Sequence, residues 1–454
     1  MTDLNYAVIL ASGEGSRFGG EKLKQLTRVS GKTILEHTLQ LFDKNPLIEE
    51  IIIVGNAQVI LLQDEFKNKY PKLNAIVPGG ASRAESTWMG LSALAGRAKR
   101  DDKVLIHDGV RPFLSHEIIQ NLIAALQDYS AVNTVIDATD TMLYVEDHKV
   151  VSIPDRSKIK RGQTPQGFKY GAIVEAFTDF LPRQNELKVT DDCAIYLNYW
   201  GERSPIFTVK GSEENIKITF PFDLITAEEV FRMGRYNDTY KPADIKGKVA
   251  VVFGGSQGIG EATVHQLRGS GLKVYSISRA SGCDVSSAEQ VQSTLDKIAQ
   301  ENTATGIDFI INCAGILYTG PMISMSSDKL TQMIQTNLVG SVHIANASHA
   351  HLKKTKGMLV FFSSSSYLKG RANIAIYSAT KSAVSNLTQA LAEEWAGDSV
   401  RVNCVAPSRT DTPMRSNNFN DSDDLADLLK PEKVAQRVED LLRSDLTSNI
   451  VRVY

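Results

Sequence analysis

Two apolar runs that break into glycine constrain this chain more than any other feature. At residues 6–15 "YAVILASGEG" passes from a strand-like run into Gly13 and Gly15, and at residues 251–260 "VVFGGSQGIG" does the same with Gly254, Gly258 and Gly260. A strand that ends in a glycine turn and feeds a helix opens a βαβ unit; its backbone can approach a phosphate closely, and the helix N-terminus offers unpaired N–H groups. One domain needs only one such opening. At 454 residues the chain also exceeds the roughly 250–300 residues over which a single core grows, so two domains are expected.

Periodicity agrees. After the first loop, "EIIIVG", "NAIVP" and "KVLIHD" read as strands, separated by the amphipathic segments "KTILEHTLQLF" and "RAESTWMGLSALAG". After the second, "KVYSIS", "IDFIIN", "GMLVFF" and "SVRVNCV" alternate with helical stretches such as "SAVSNLTQALAEEWAG". Both series predict α/β domains with largely parallel, doubly wound sheets and ligands beyond the carboxyl ends of the strands. The polar stretch "RMGRYNDTYKPADIKGK" separates them. We place the first domain at 1–235, a linker at 236–246 and the second domain at 247–454. The loops differ in spacing, which points to fusion rather than internal duplication.

Composition removes several classes of function. With 50 Lys+Arg against 52 Asp+Glu, no global charge favours nucleic acid or an anionic membrane. No apolar run approaches the roughly 20 residues of a membrane span, and the start lacks a secretory pattern, so a cytoplasmic protein is expected. The four cysteines have neither CxxC spacing nor a histidine pattern suited to zinc, and read as buried thiols.

The second loop, GxxxGxG, keeps company that defines its chemistry. "INCAG" carries Asn312, Ala314 and Gly315, "TNLVG" carries Asn337, "FFSSSSYLKG" carries Ser364, and "YSATK" places Tyr377 four residues before Lys381. On a helix that spacing puts both side chains on one face, where an ammonium is expected to lower the tyrosine pKa toward a value useful for proton donation. Singly, a serine run suits a solvated loop and a YxxxK suits a helix surface. Together and in this order, the residues resemble the short-chain dehydrogenase/reductase family over most of 246–454. The resemblance implies a catalytic tetrad of Asn337, Ser364, Tyr377 and Lys381. It implies a nicotinamide cofactor held by Gly254, Ser256, Gly258, Ile259, Gly260, Asn312, Ala314, Gly315, Tyr377 and Lys381, with Asp284 near the adenine. Arg279 ends the second strand where an acidic residue would suit NAD; a guanidinium suits the 2′-phosphate of NADPH. Ser408 stands where that family often has glycine.

The first loop, "ASGEGSRFGGEKLKQ", adds Arg17 and Lys24 to its glycines and lacks the P-loop pattern. It suits a triphosphate attacked at its α-phosphorus, where charge builds on the equatorial oxygens and the leaving pyrophosphate. With "PGGASRAES", "IHDGVRPF", "DRSKIKRGQTPQGF", "KVTDD" and "ENIKIT" following in order, residues 5–230 resemble the methylerythritol phosphate and ribitol phosphate cytidylyltransferases. That resemblance implies CTP binding by Ala11, Ser12, Gly13, Gly15, Arg17, Lys24, Gly79, Gly80, Arg83, Ser86 and Asp108, with Arg17 and Lys24 catalytic. It implies Asp108 near Mg²⁺, and an acceptor phosphate held by Arg156, Thr164 and Lys217, Arg156 reaching across a dimer. For the basic cluster 156–161 a solvated surface is the competing reading.

A reductase can make the polyol phosphate that such a cytidylyltransferase consumes. The pair resembles bifunctional ribulose 5-phosphate reductase/ribitol 5-phosphate cytidylyltransferases, which implies that CTP and a pentose or pentitol 5-phosphate yield CDP-ribitol for capsule or teichoic-acid-type polymers, by a homodimer or higher homo-oligomer. Other sugar phosphates, or methylerythritol phosphate with an NADPH-binding scaffold, remain open at this point.

Overall fold

The computed structural model describes residues 3–13, 18, 23–187, 189–232, 243–419 and 428–454. Contacts divide the chain into two compact units, Met1–Ala227 and Glu228–Tyr454, the division falling inside the helix Pro221–Arg232.

The first unit is built on seven strands: β1 (Asn5–Ala11), β2 (Glu50–Gly55), β3 (Leu73–Pro78), β4 (Lys103–Asp108), β5 (Ala131–Asp137), β6 (Lys160–Lys169) and β7 (Phe207–Lys210). Their order across the sheet is β7-β5-β6-β4-β1-β2-β3. β1 pairs in parallel with β4 and β2 and is covered on both faces, which is why it reads as an unbroken apolar run. The helix Ile34–Lys44 starts at a capping box in which Thr33 and Glu36 satisfy each other's backbone N–H groups. β6 is antiparallel to both neighbours, with an irregular register between Gly162 and Gln166 and a cis Thr164–Pro165 bond. Its sequence, "KRGQTPQGFK", carries neither an apolar run nor strict alternation, so this strand is not legible beforehand.

The second unit holds six parallel strands: β8 (Val249–Phe253), β9 (Lys273–Ile277), β10 (Phe309–Asn312), β11 (Met358–Phe362), β12 (Arg401–Pro407) and β13 (Ile450–Val453), in the order β9-β8-β10-β11-β12-β13. Alternate residues feed two cores. Val251, Phe253, Leu359 and Phe361 pack with Ile344 and Val384 on one face, while Ala250, Val252 and Val360 pack with Val264 and Val438 on the other. Ile245 belongs to the second of these cores. Helices on both faces make the sheet doubly wound. The strand order reverses at β8, so the loops after β8 and β10 diverge and leave a crevice. Among the described residues, no helix is long and apolar enough to cross a membrane.

Candidate active sites

In the first unit the candidate residues gather beyond the carboxyl ends of β1, β3 and β4. Ser12 and Ser86 share a hydroxyl hydrogen bond of 3.0 Å, and Gly80 N donates to Ser86 Oγ at 3.2 Å. Gly79 lies against the Ser12 side chain. Buried Gln25 donates to Ala11 O at 2.9 Å and Gly13 O at 3.2 Å, tying the first loop to the short turn that Lys24 opens. Arg83 donates to the buried Asp192 at 2.8 Å, and Thr87 holds the other oxygen of that carboxylate at 2.9 Å. Gly15 and Arg17 lie outside the described residues.

Asp108 is the centre of a second group. Its Oδ2 accepts from Arg111 Nε and from Lys217 Nζ, each at 3.1 Å. Burial opposes its ionisation, yet Lys217, Arg83 and Arg111 hold its carboxyl well below the usual carboxylate range. Beside it, burial pushes His107 down to about 4, so the ring is neutral at physiological pH. His107 Nε2 faces Arg111 O at 3.1 Å and must donate; Nδ1 therefore accepts from Thr164 Oγ1, also at 3.1 Å. Thr164 in turn accepts from Asp108 N at 3.1 Å. Its hydroxyl thus joins His107 to the Asp108 backbone. It fixes the corner that His107 and Asp108 share.

The basic cluster 156–161 divides. Arg156 is exposed and donates to Thr139 O at 2.9 Å. Lys160 pairs with Asp137, and Arg161 with both oxygens of Glu213 at 2.6 Å. Among the described residues no three His, Cys, Asp or Glu side chains converge as a metal cage. Asp108 alone fits only a magnesium held mainly by phosphate oxygens.

In the second unit the crevice is a cavity of about 390 Å³, lined among others by Gly254, Ser256, Gly258, Ile259, Gly260, Arg279, Asp284, Ala314 and Gly315. Gly254 has φ +75°, and a β-carbon there would stand 2.6 Å from Ala314 N. Arg279 is exposed at the rim. Asp284 accepts from Ser286 N and Oγ at 2.9 and 2.7 Å. Asn312 lies beneath the wall, accepting from Ala314 N at 3.1 Å and donating to Ser341 Oγ at 3.1 Å.

Behind the cavity stand the tetrad candidates. Asn337 sits in a π-helical stretch, Gln335–Val339, that interrupts two helices; its amide accepts from Ile316 N at 2.8 Å and donates to Ile316 O at 2.9 Å. A β-carbon on Gly315 would fall 3.4 Å from Asn337 Oδ1 and 3.5 Å from Lys381 Nζ, which places both heads against the cavity wall. Lys381 donates to Phe362 O at 2.9 Å and lies 5.6 Å from the Tyr377 ring centre. The expectation that the ammonium lowers the tyrosine pKa is corrected. Burial pushes Tyr377 up to about 12, against a hydrogen bond from Ser364, and pushes Lys381 down to about 8.

Residues 6–233 match the 2-C-methyl-D-erythritol 4-phosphate cytidylyltransferase family, and residues 279–423 the short chain dehydrogenase family. The chain is 38% identical to the bifunctional ribulose 5-phosphate reductase/CDP-ribitol pyrophosphorylase of Haemophilus influenzae over 99% of its own length and 95% of that protein. It belongs to that bifunctional family. The first half alone is 36% identical to a 2-C-methyl-D-erythritol 4-phosphate cytidylyltransferase of Thermobifida fusca, matching 50% of this chain and 93% of that one. An aldohexose dehydrogenase structure from Thermoplasma acidophilum is 26% identical, with a TM-score of 0.42, covering 46% of this chain and 94% of that one.

Members of a bifunctional reductase/pyrophosphorylase family carry two enzyme sites, and the dehydrogenase half implies a nicotinamide cofactor. Sequence reasoning missed His107, Gln25 and Asn215 in the first of them. His107 hides inside the strand "KVLIHD"; Asn215, which donates to Thr164 O at 2.9 Å, was visible only as the polar residue two before Lys217.

The Asp108 cluster gives a pH signature. The folded carboxyl titrates below its unfolded value of about 4, so its stabilisation is fully present above that pH and is lost as pH falls through the folded value. Asp108→Asn mimics the protonated state. The melting-temperature gap between wild type and variant should be widest near pH 6 and narrow below about pH 4; a gap independent of pH would show that the cluster is not held by this charge.

Proposed function

We propose that the protein makes CDP-ribitol in two steps, reducing ribulose 5-phosphate with NADPH and then transferring CMP from CTP to the ribitol 5-phosphate formed, with release of pyrophosphate. The carrying observation is the full-length match to the bifunctional relative. The Ser364–Tyr377–Lys381 arrangement and the cation-ringed Asp108 supply chemistry for each half.

At the reductase site NADPH, when bound, supplies a hydride to the C2 carbonyl carbon. Tyr377 keeps its proton at neutral pH and delivers it to the carbonyl oxygen, which Ser364 orients. Lys381 beneath the ring stabilises the phenolate that develops. Asn337 is a positioning residue, fixing the Ile316 backbone at the cavity wall. At the transferase site an acceptor phosphate oxygen bonds to the α-phosphorus of CTP while the bond to pyrophosphate breaks. Arg17 and Lys24 neutralise the reacting oxygens. Ser12, Gly79, Gly80 and Ser86 contact the cytidine. Lys217, 38% exposed and anchored by Asp108, keeps an open side for the acceptor phosphate, aided by Arg156. Asp108 would hold magnesium together with the nucleotide phosphates, and the ion would supply positive charge against theirs. We place the reactions in the cytoplasm, feeding capsule or teichoic-acid-type polymers.

Omission mixtures test the whole reading by mass spectrometry. Ribulose 5-phosphate should become CDP-ribitol only with NADPH, CTP and Mg²⁺ together, and should stop at ribitol 5-phosphate without CTP. Tyr377→Phe should abolish NADPH oxidation yet still convert supplied ribitol 5-phosphate; Lys24→Ala should lose at least about a hundredfold of CTP turnover and keep reduction. Efficient CDP-ribulose formation without NADPH, or near-normal reduction by Tyr377→Phe, would sink the scheme.

Arg279 supports NADPH over NADH, since a guanidinium at the cavity rim can pair with the 2′-phosphate. Arg279→Asp should move the ratio of kcat/KM values toward NADH. An unchanged ratio would make Arg279 a surface residue.

A homodimer is supported by the hairpin Tyr144–Glu146/Lys149–Ser152, where Tyr144, Val145, Val150, Val151 and Ile153 are each more than half exposed. An isolated two-stranded hairpin is marginal in water and its apolar faces need a cover. Sedimentation should show dimers that Val145→Lys with Val150→Lys dissociates; a wild-type monomer at micromolar concentration would refute this.

A further inference from the structure

Between the two proton-handling residues of the reductase site the chain reads "SSYLKGRANIAI", without one acidic residue and with two cations, Lys369 and Arg371. Both are exposed. Arg371 Nη2 donates to Ser365 Oγ at 3.3 Å, next to the serine whose side chain bonds Tyr377. The turn is tied to the cavity mouth as well. Asn373, held at φ +64°, accepts from Gly320 N at 2.9 Å, and the Gly320 segment is the continuation of the wall Cys313–Ile316.

Several other cations of this unit are spoken for. Lys248, Lys353, Arg443 and Arg452 each pair with a carboxylate, whereas neither Lys369 nor Arg371 has a carboxylate partner among the described residues. Neither of them lines the cofactor cavity, where Arg279 and the glycine loop already stand for the phosphates of the nucleotide. A guanidinium with no carboxylate partner among the described residues, tied through Ser365 to the segment that carries Ser364, is placed to meet an anion on a substrate whose carbonyl sits at Tyr377.

We propose that Arg371, with Lys369 beside it, binds the phosphate of the ketose phosphate at the reductase site and so selects phosphorylated over unphosphorylated pentuloses. This rests on the reductase reading above and adds how its substrate is recognised. A guanidinium presents a planar fork that suits a phosphate dianion, and its bond to Ser365 fixes the fork's direction relative to Ser364.

The test is steady-state reduction by the full-length chain with ribulose 5-phosphate and with ribulose. Arg371→Ala should raise KM for ribulose 5-phosphate by at least about tenfold, the scale of one charge-assisted contact. It should leave KM for NADPH, the rate with ribulose, and CDP-ribitol formation from supplied ribitol 5-phosphate unchanged. Arg371→Lys should recover part of the loss. Inorganic phosphate should compete with ribulose 5-phosphate in wild type and lose that effect in Arg371→Ala. An unchanged KM, or equal losses with ribulose and its phosphate, overturns the proposal. A wild-type enzyme inactive on ribulose 5-phosphate overturns the reductase reading itself, and this inference with it.

Discussion

The second unit depends on a backbone crossing at Gly254. There the chain leaves β8 at φ +75° and passes so near Cys313 and Ala314 that a β-carbon would stand 2.6–2.8 Å from their backbone atoms. The next contact is tighter still: a β-carbon on Gly260 would meet Gly254 O at 2.1 Å. Glycine at both places lets the first turn of the helix Gly258–Gly269 sit directly behind the loop, its N–H groups facing the cavity. The position of Ala314 then sets that of Gly315 and Ile316, and Ile316 is the residue Asn337 grips with both ends of its amide. One steric constraint thus runs from the glycine loop to Asn337.

The electrostatics of that site correct a simple picture of an ammonium that makes tyrosine acidic. Burial acts on both groups in opposite directions, raising Tyr377 to about 12 and lowering Lys381 to about 8, because each ion is penalised away from water. The thiols of Cys313 and Cys404 near Lys381 are pushed up to about 12, so they stay neutral and do not compensate it. The result is a proton on the phenol and an ammonium with no carboxylate partner among the described residues. Such a charge is worth most when the phenolate appears, in the transition state rather than before it.

Legibility followed the physics of each element. β1, β2, β4 and β8 are buried on both faces and must be apolar runs, so they and the loops after them could be read directly. β6 could not, because it is built from polar residues whose partners are distant in sequence: Gln166 reaches Asp191 at 2.7 Å and Gln163 reaches Ser212 O at 2.8 Å. The tetrad candidates could be named because Ser364, Tyr377 and Lys381 share two short segments. The Asp108 cluster was only half legible, since Arg111 is three residues away while Thr164 and Lys217 arrive from other elements. Thr164 shows the limit most clearly: its residue type allows a phosphate contact, and only the structure reveals its bonds to His107 and to the Asp108 backbone.

The two sites answer different charge problems with different arrangements. Nucleotidyl transfer spreads negative charge over several oxygens, and the first unit gathers Arg83, Arg111 and Lys217 around one buried carboxylate. Asp108 is not surplus there: Arg83 has its own partner in Asp192, and without Asp108 the remaining two cations would repel one another, whereas the carboxylate fixes both at 3.1 Å. Hydride transfer creates charge on a single oxygen and relieves it with a single proton, so the second unit needs one acid and one buried cation. Arg279 and Arg371, proposed above for the cofactor and the substrate, are exposed, which spares them the cost of desolvation. On that proposal, a substrate phosphate bound in the exposed position would contribute selectivity without lowering the charge that Lys381 holds in reserve for the phenolate.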